Sequence, residues 1–225
     1  MHDKLSIIIP TLNESHQIES SLNRLKSLRQ QGHEVIVVDG GSNDNTVSLA
    51  TPLCDRVIRS KKSRSLQMNT GAAMATGQCF LFLHADTKLP SKTTGIFSNI
   101  KSIEEKWGRF DMRLSGSHFM FRLIEQCMNS RSRLTGIATG DQVIFVGKKI
   151  FNQVNGFPKI ALMEDIAISK LLLKKSKPIY FKEKVVSSSR RWEENGIIKT
   201  ILKMWFLRLL YFFHFDTSKL ARIYS

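Results

Sequence analysis

The sequence predicts an α/β protein with a mainly parallel central sheet flanked by helices. Three observations carry this reading. Residues 5–9, 35–38 and 80–83 are short, nearly continuous apolar runs, the pattern of strands buried on both faces. Between them lie segments whose apolar residues recur at helical spacing. Two of the runs also end in an aspartate followed by turn residues, Asp39 before Gly40-Gly41 and Asp86 after His84-Ala85. A strand that ends this way delivers a carboxylate to the carboxyl edge of a sheet, where open α/β sheets bind ligands.

The elements follow in order. Residues 5–9 form a first strand, stopped by Pro10. Asn13 or Ser15 caps a helix over residues 16–30, with Ile18, Leu22, Leu25 and Leu28 on one face and Gly32 at its end. Residues 35–38 are the second strand. A turn at 43–46 leads to a short helix through Val47, Leu49 and Ala50 that Pro52 ends, and residues 56–58 form a third strand. This β-α-β-α-β alternation implies a parallel, doubly wound sheet. A basic loop, Lys61-Lys62-Ser63-Arg64, precedes a small-residue helix over 66–75, and residues 80–83 are the fourth strand. Residues 91–106 read as helix, and 108–114 and 143–146 as strands of a less regular second half. Gly156-Phe157-Pro158 is a turn, a helix starts near Glu164, and Val185 and Val186 belong to a late strand. Residues 197–213 form a strongly apolar helix. No proline- or serine-rich linker interrupts the chain, so residues 1–225 are expected to be one domain, divided as 1–90, 91–192 and 193–225.

Composition bounds the function. The 225 residues, 42% hydrophobic, suffice for one sizeable core. The net charge of +15 favours anionic partners: phosphorylated ligands, anionic membrane or nucleic acid. Much of the excess lies late: from Lys170 to Arg208 there are eleven Lys or Arg and three Glu, a surplus of eight. Cys54, Cys79 and Cys127 are dispersed and lack a C-x-x-C pair, which argues against a zinc site and for a reducing, intracellular compartment. Residues 1–4 do not begin a signal-peptide h-region, and no apolar run reaches the roughly 18–20 residues that span a bilayer.

The order of motifs is more specific than composition. Ser6-Ile7-Ile8-Ile9-Pro10-Thr11-Leu12-Asn13-Glu14, the Asp39 strand, the Asp86 strand and Met163-Glu164-Asp165 together resemble a family 2 glycosyltransferase of GT-A fold. Gln67-Met68-Asn69-Thr70-Gly71-Ala72 leading to Leu83-His84-Ala85-Asp86-Thr87, with Gly140-Asp141-Gln142 and Arg191-Trp192, resembles one compact bacterial subgroup. The resemblance implies transfer of a sugar from a nucleotide diphosphate to an acceptor hydroxyl, with inversion at the anomeric carbon. It implies that Asp39 meets the nucleotide base, an acceptor-only group facing a donor edge; the alternative is a cap on the turn that follows it. Pro10, Thr11 and Glu14 would close the same pocket, with dipole stabilisation of the first helix as the alternative for Glu14. Arg64 would meet the diphosphate or lie in solvent. Asn69 matches a family asparagine, but Met68 replaces the usual arginine beside it, and Gln67 is a candidate substitute.

Asp86 would hold Mg²⁺ or Mn²⁺, since such ions use one or two carboxylates together with phosphate oxygens and water. The family often has Asp-x-Asp; here only the second acid stands, after His84. Asp165, paired with Glu164, would take the proton of the acceptor hydroxyl, and both also suit a helix N-terminus. Arg191 would meet the diphosphate or form a surface basic pair with Arg190. Gly140, Asp141 and Gln142 would border the acceptor, and Arg109, Asp111 and Arg113, alternating on one strand, would line the same cleft.

Along the tail, Ile198, Ile201, Leu202, Trp205, Leu209 and Phe212 follow helical spacing, interrupted by Lys199, Lys203 and Arg208. This fits an interfacial helix on an anionic membrane, which would put the protein on the inner face of the cell membrane with a lipid-linked acceptor. A helix docked into the core or a partner fits as well. A nucleotidyltransferase is a competing reading, but its glycine-rich loop is missing after the first strand. A nucleic-acid-binding module lacks any recognisable motif, and no nucleic-acid partner is expected. A nucleotide-sugar-binding protein impaired in catalysis remains open, because the Asp-x-Asp is incomplete.

Overall fold

The computed structural model describes residues 4–224; the N-terminal reading of Met1, His2 and Asp3 falls outside them. Seven strands form one sheet: β1 (Leu5–Thr11), β2 (Glu34–Asp39), β3 (Arg56–Arg59), β4 (Cys79–Phe82), β5 (Trp107–Leu114), β6 (Ile144–Gly147) and β7 (Ile179–Ser187), in the spatial order β3-β2-β1-β4-β6-β5-β7. β1 to β4 are mutually parallel, β6 runs antiparallel to both β4 and β5, and β7 lies parallel to β5. The helices are α1 (Ile18–Gln30), α2 (Thr46–Ala50), α3 (Arg64–Met74), α4 (Thr93–Ser98), α5 (Phe119–Thr135), α6 (Lys148–Gln153), α7 (Glu164–Leu173), α8 (Arg190–Asn195), α9 (Ile197–Phe212) and α10 (Thr217–Tyr224).

Strand alternation sorts the core into two layers. Leu5, Ile7 and Ile9 of β1 face α1 through Ile18, Leu22, Leu25 and Leu28. Ile8, Ile36, Val38, Phe80 and Phe82 face the other way, onto Met68 and Ala72 of α3 and onto Phe151 and Phe157. Gly71 lets α3 lie close: a β-carbon there would sit 2.5 Å from Ile8 and 3.0 Å from Val38. This contact explains the small-residue character of that helix.

Several boundaries differ from the sequence reading. β1 does not stop at Pro10 but continues to Thr11, paired with β2. Ile8 accepts from the Leu83 N–H on the β4 side, so alternation turns the Pro10 nitrogen to that side too, past the end of β4, where no donor is needed. Asn13 and Ser15 do not cap α1. Asn13 Oδ1 instead accepts from the Asn43 N–H at 2.9 Å, and the Ser15 N–H donates to Asp44 at 3.1 Å, lacing the loop after β1 to the loop after β2. The helix expected over 91–106 is broken into α4 and a single 3₁₀ turn, with Ser102 left-handed between them (φ 53°).

α5 was not expected from the sequence at all. Its buried face is largely polar: Phe121 and Ile124, then Glu125, Asn129 and Ser132. β5 pairs with β6 only over Trp107, Gly108 and Arg109. Beyond that point α5 side chains take over the partner strand's role. Asn129 accepts from the Met112 N–H and donates to the Met112 carbonyl, both at 3.0 Å, and Glu125 accepts from the Leu114 N–H at 2.8 Å. Arg109, fully buried, ion-pairs with Asp111 and donates to Ser132 and the Asn129 carbonyl. Arg109 and Asp111 therefore anchor α5 and do not line a cleft, contrary to the sequence expectation. Replacing Asn129 by Ala strands two buried backbone groups and should cost about 2–4 kcal/mol, read as a lower urea midpoint at unchanged slope.

Candidate active site

The parallel strands β1, β2 and β4 end at one edge of the sheet, and the loops that leave them carry most of the residues singled out above. Asp39 closes β2. It is almost fully buried, and its carboxylate accepts from the Gly41 and Ser42 N–H groups, each at 3.0 Å, and from the Ser42 hydroxyl. The turn-cap reading is thus realised. β1 separates β2 from β4, so Asp39 and Asp86 leave strands roughly 10 Å apart on the same edge.

α3 fixes this edge from below. The Gln67 amide nitrogen donates to the carbonyls of Thr11 and Val38, each at 2.8 Å, and ties the ends of β1 and β2 to the helix. That nitrogen is committed to the backbone, so Gln67 is no substitute for the missing arginine. Asn69 is engaged as well: it donates to the Phe157 carbonyl at 2.8 Å and accepts from the Phe157 N–H at 2.9 Å, holding the Gly156-Phe157-Pro158 turn against α3. α3 starts two residues before the expected point, so Arg64 is its first residue and projects at the surface of the edge.

Charges converge around Arg64. Although its side chain reaches solvent, the protein packed around it opposes its charge; Glu164, Tyr224, Asp141 and Asp165 outweigh that and raise its pKa. Glu14 is pushed above the usual carboxylate value, by burial first; Asp86 adds to the rise, while a hydrogen bond from Gln17 and the charges of Arg190 and Arg64 oppose it. His84 is drawn down to about 4 by burial and then by Arg64, against the pull of Asp86 and Asp165, so its imidazole is neutral at pH 7. It lies against Gly140, where a β-carbon would come within 2.6 Å of it, and 3.9 Å from Asp141.

The second half of the chain closes the opposite wall. Asp165, in the first turn of α7, accepts from the Gly140 N–H at 3.0 Å. Glu164 beside it is buried and unpaired by any ion bridge among the described residues; burial, then the charge of Asp165, raise it to about 7 despite Arg64. Asp141 faces His84 and Ser187. Gln142 does not share this wall. It is fully buried, donates to Asn129 and closes a capping box with Thr139.

Arg191 stacks on Tyr224, with its guanidinium carbon 4.9 Å from the ring centre, and bonds the Tyr224 hydroxyl. The edge therefore gathers Glu14, Arg64, His84, Asp86, Asp141, Glu164, Asp165 and Arg191. Gln142 lies elsewhere, and Asn69 is spent on Phe157. Arg190 and Tyr224 were not legible as site residues: they reach the edge only because α8 and α10 pack there, which no local motif announces.

The donor set suits a hard cation in part. Asp86 is half-buried and accepts only from Thr87 among the described residues, at 3.2 Å, and Glu14 is near enough to feel its charge. Two carboxylates supply oxygen for Mg²⁺ or Mn²⁺ if phosphate and water complete the shell. No cluster of three or more His, Cys, Asp or Glu able to hold an ion occurs among the described residues.

A mostly parallel sheet with one antiparallel strand, its edge lined by carboxylates and arginines, has the architecture of the GT-A fold. Solved structures bear this out. The chain superposes on Staphylococcus aureus TarS (residues 1–349) with TM-score 0.68 and 18% identity, covering 83% of this chain and 60% of that one. It superposes on the mannosyltransferase PcManGT of Pyrobaculum calidifontis, solved with GDP-Man and Mn²⁺, with TM-score 0.64 and 18% identity, covering 83% and 57%. Residues 6–95 match the model of glycosyl transferase family 2. The chain is 36% identical over 91 residues to a PGL/p-HBAD biosynthesis glycosyltransferase of Mycobacterium bovis, covering 37% of this chain and 36% of that protein. It is 34% identical over 94 residues to dolichol-phosphate mannosyltransferase of Pyrococcus furiosus, covering 39% and 27%. The chain matches about a third of the length of these curated relatives.

The raised pKa of Glu164 has a sign. Its folded value of about 7 exceeds the ordinary 4.5. Its contribution to stability is therefore full below about pH 4.5 and is lost as pH rises through 7. Glu164→Gln should gain roughly 1–3 kcal/mol over wild type between pH 5 and pH 8, read from urea midpoints at the two pH values. Parallel curves for the two proteins would contradict the assignment.

Proposed function

We propose that this protein transfers a sugar from a nucleotide diphosphate sugar to an acceptor hydroxyl, with inversion at the anomeric carbon. The observation that carries this is the convergence of Glu14, Arg64, Asp86, Asp165 and Arg191 at the carboxyl ends of β1 and β4. A relative complexed with GDP-Man and one with UDP-GlcNAc share the fold and support the reading. In this scheme residues 1–90 hold the donor, residues 91–192 the acceptor, and residues 193–225 the membrane contact.

The base lies over Pro10 and Thr11, with Asp39 accepting from it through a lone pair that the turn leaves free. Arg64 and Arg191 meet the pyrophosphate, where a guanidinium fork suits two anionic oxygens. Arg191 would exchange Tyr224 for phosphate as the donor enters. Asn69 acts at one remove, by holding the Phe157 turn. Asp86, with Glu14 alongside, would hold Mg²⁺ or Mn²⁺, which would supply Lewis-acid stabilisation of the departing diphosphate.

On the facing wall, Asp165 removes the proton of the acceptor hydroxyl as it attacks opposite the leaving group. The Gly140 N–H holds this carboxylate in place, and Asp141 orients the acceptor. Glu164, poised near neutral pH and next to Asp165, supports the charge change there. The acceptor is lipid-linked, and the protein works as a peripheral protein on the inner face of the membrane. Among the described residues no helix is long and apolar enough to cross a bilayer.

Two outcomes test the proposal. UDP or GDP with Mn²⁺ should raise the melting temperature of the wild type, by mass action on the folded state, and Asp86→Ala should abolish the rise. Asp165→Asn should keep that rise and lose about 10²-fold or more in sugar transfer. Equal transfer by Asp165→Asn and wild type would refute its role as base. A donor response with no transfer in the wild type would instead favour a binding protein that does not catalyse.

A further inference from the structure

Two further arginines lie on the Asp165 side of the site. Arg131 lies on α5 and Arg208 on α9. The Nε and one terminal nitrogen of Arg131, and the Nε of Arg208, are buried and have no hydrogen-bond partner among the described residues. A guanidinium presents a fixed fork of donors and cannot shed its charge. Leaving such donors unmet costs free energy unless a ligand meets them.

The pair sits on the acceptor side of the site. Burial lowers Arg131 to about 10, and the next influence is the repulsion of Arg208; Asp165 acts in the opposite sense. Packing agrees with this placement. Leu207, next to Arg208 in sequence, is buried with Met163 and Ile166, the residues that flank Glu164 and Asp165, and Ile137 just past α5 packs on the same cluster.

The outer face of α9 continues from Arg208. Ile198, Leu202, Trp205, Leu209 and Phe212 recur at helical spacing and are all exposed, Trp205 at 67% and Phe212 at 70%. At roughly 100° per residue they fill one sector of the helix, and Lys199 and Arg208 border it on either side. Lys199 and Arg208, which interrupt the apolar spacing in the sequence, flank the stripe in the fold, as the cationic shoulders of an interfacial helix do.

We propose that Arg131 and Arg208 form a subsite for the phosphate of a membrane-lipid acceptor, whose hydrocarbon seats on the exposed face of α9 and whose hydroxyl reaches Asp165. The proposal rests on the transferase reading above and names its acceptor class. Phosphate suits this pair because its several oxygens accept from two forks at once, which one carboxylate does less well. The neighbouring basic surplus draws the protein to an anionic surface, and the arginine pair selects the headgroup.

The test is co-sedimentation of the full chain with vesicles of phosphatidylcholine alone, with added phosphatidic acid, or with added cholesteryl hemisuccinate at matched charge. Wild type should bind the phosphatidic acid vesicles at least about tenfold more tightly than the hemisuccinate vesicles. The double variant Arg131→Gln, Arg208→Gln should lose that preference yet still bind both. Trp205→Ser with Phe212→Ser should lose binding to all vesicles. Arg131→Lys with Arg208→Lys, which keeps the charge but removes the forks, should also lose the preference and guards against misfolding of the glutamine variant. A preference that survives in both arginine variants, or none in the wild type, overturns the subsite. Competition by millimolar inorganic phosphate without any selectivity among vesicles overturns the lipid source in favour of a soluble phosphate. The melting shift with UDP or GDP, measured on the same variants, should be unchanged. Its absence from every protein, wild type included, would count against the donor site while leaving the vesicle result standing.

Discussion

The amide nitrogen of Gln67 bonds two carbonyls, those of Thr11 and Val38, and the site depends on that clip. Parallel strands cannot be joined by tight turns, so their carboxyl ends are free to splay. Here one side chain from the helix beneath binds the ends of β1 and β2 in register. Gly71 lets that helix press against Ile8 and Val38, and its first residue is Arg64. The same contact therefore fixes the floor of the cleft and aims its central cation. Asn69, one turn along, extends the grip to the Phe157 turn and so to the segment that leads into α7.

Electrostatics then divide the cleft. On one side burial, and then the charge of Asp86, raise the cost of ionising Glu14, while Arg190 and Arg64 offset it. On the other, Glu164 and Asp165 share the first turn of α7, and the buried one of the pair is held near neutrality. Like charges placed together in this way are unfavourable in the empty protein and favourable only with cations or phosphates between them, a pattern common to functional sites. Arg131 and Arg208 repeat the theme with opposite sign at the edge that faces α9.

The first half of the fold was legible because its local signals agree with its tertiary role. Ile7, Val37 and Leu81 sit in continuous apolar runs, and Asp39 and Asp86 punctuate them. The second half was less so. α5 hides its inward face behind Glu125, Asn129 and Ser132, residues that read as solvent-exposed but bond the edge of β5. Arg109 and Asp111 looked like cleft residues and are a buried ion pair, since alternation on a strand gives a shared face but not which face is wet. Motif order singles out Glu14, Asp86 and Asp165. It does not single out Tyr224, Arg190, Arg131 or Arg208, because each is carried by a helix whose packing no local motif announces. Asn13 illustrates the remaining ambiguity: a capping residue by type, it bonds the neighbouring loop instead.

The proposed chemistry depends on where one pyrophosphate and one cation sit. A crystal structure of the protein with a nucleoside diphosphate and Mn²⁺ addresses this directly through the anomalous scattering of manganese. The peak should fall beside Asp86, with phosphate oxygens turned towards Arg64 and with Asp165 on the far wall. Manganese at another face of the sheet, or a nucleotide bound away from the ends of β1 and β2, would contradict it.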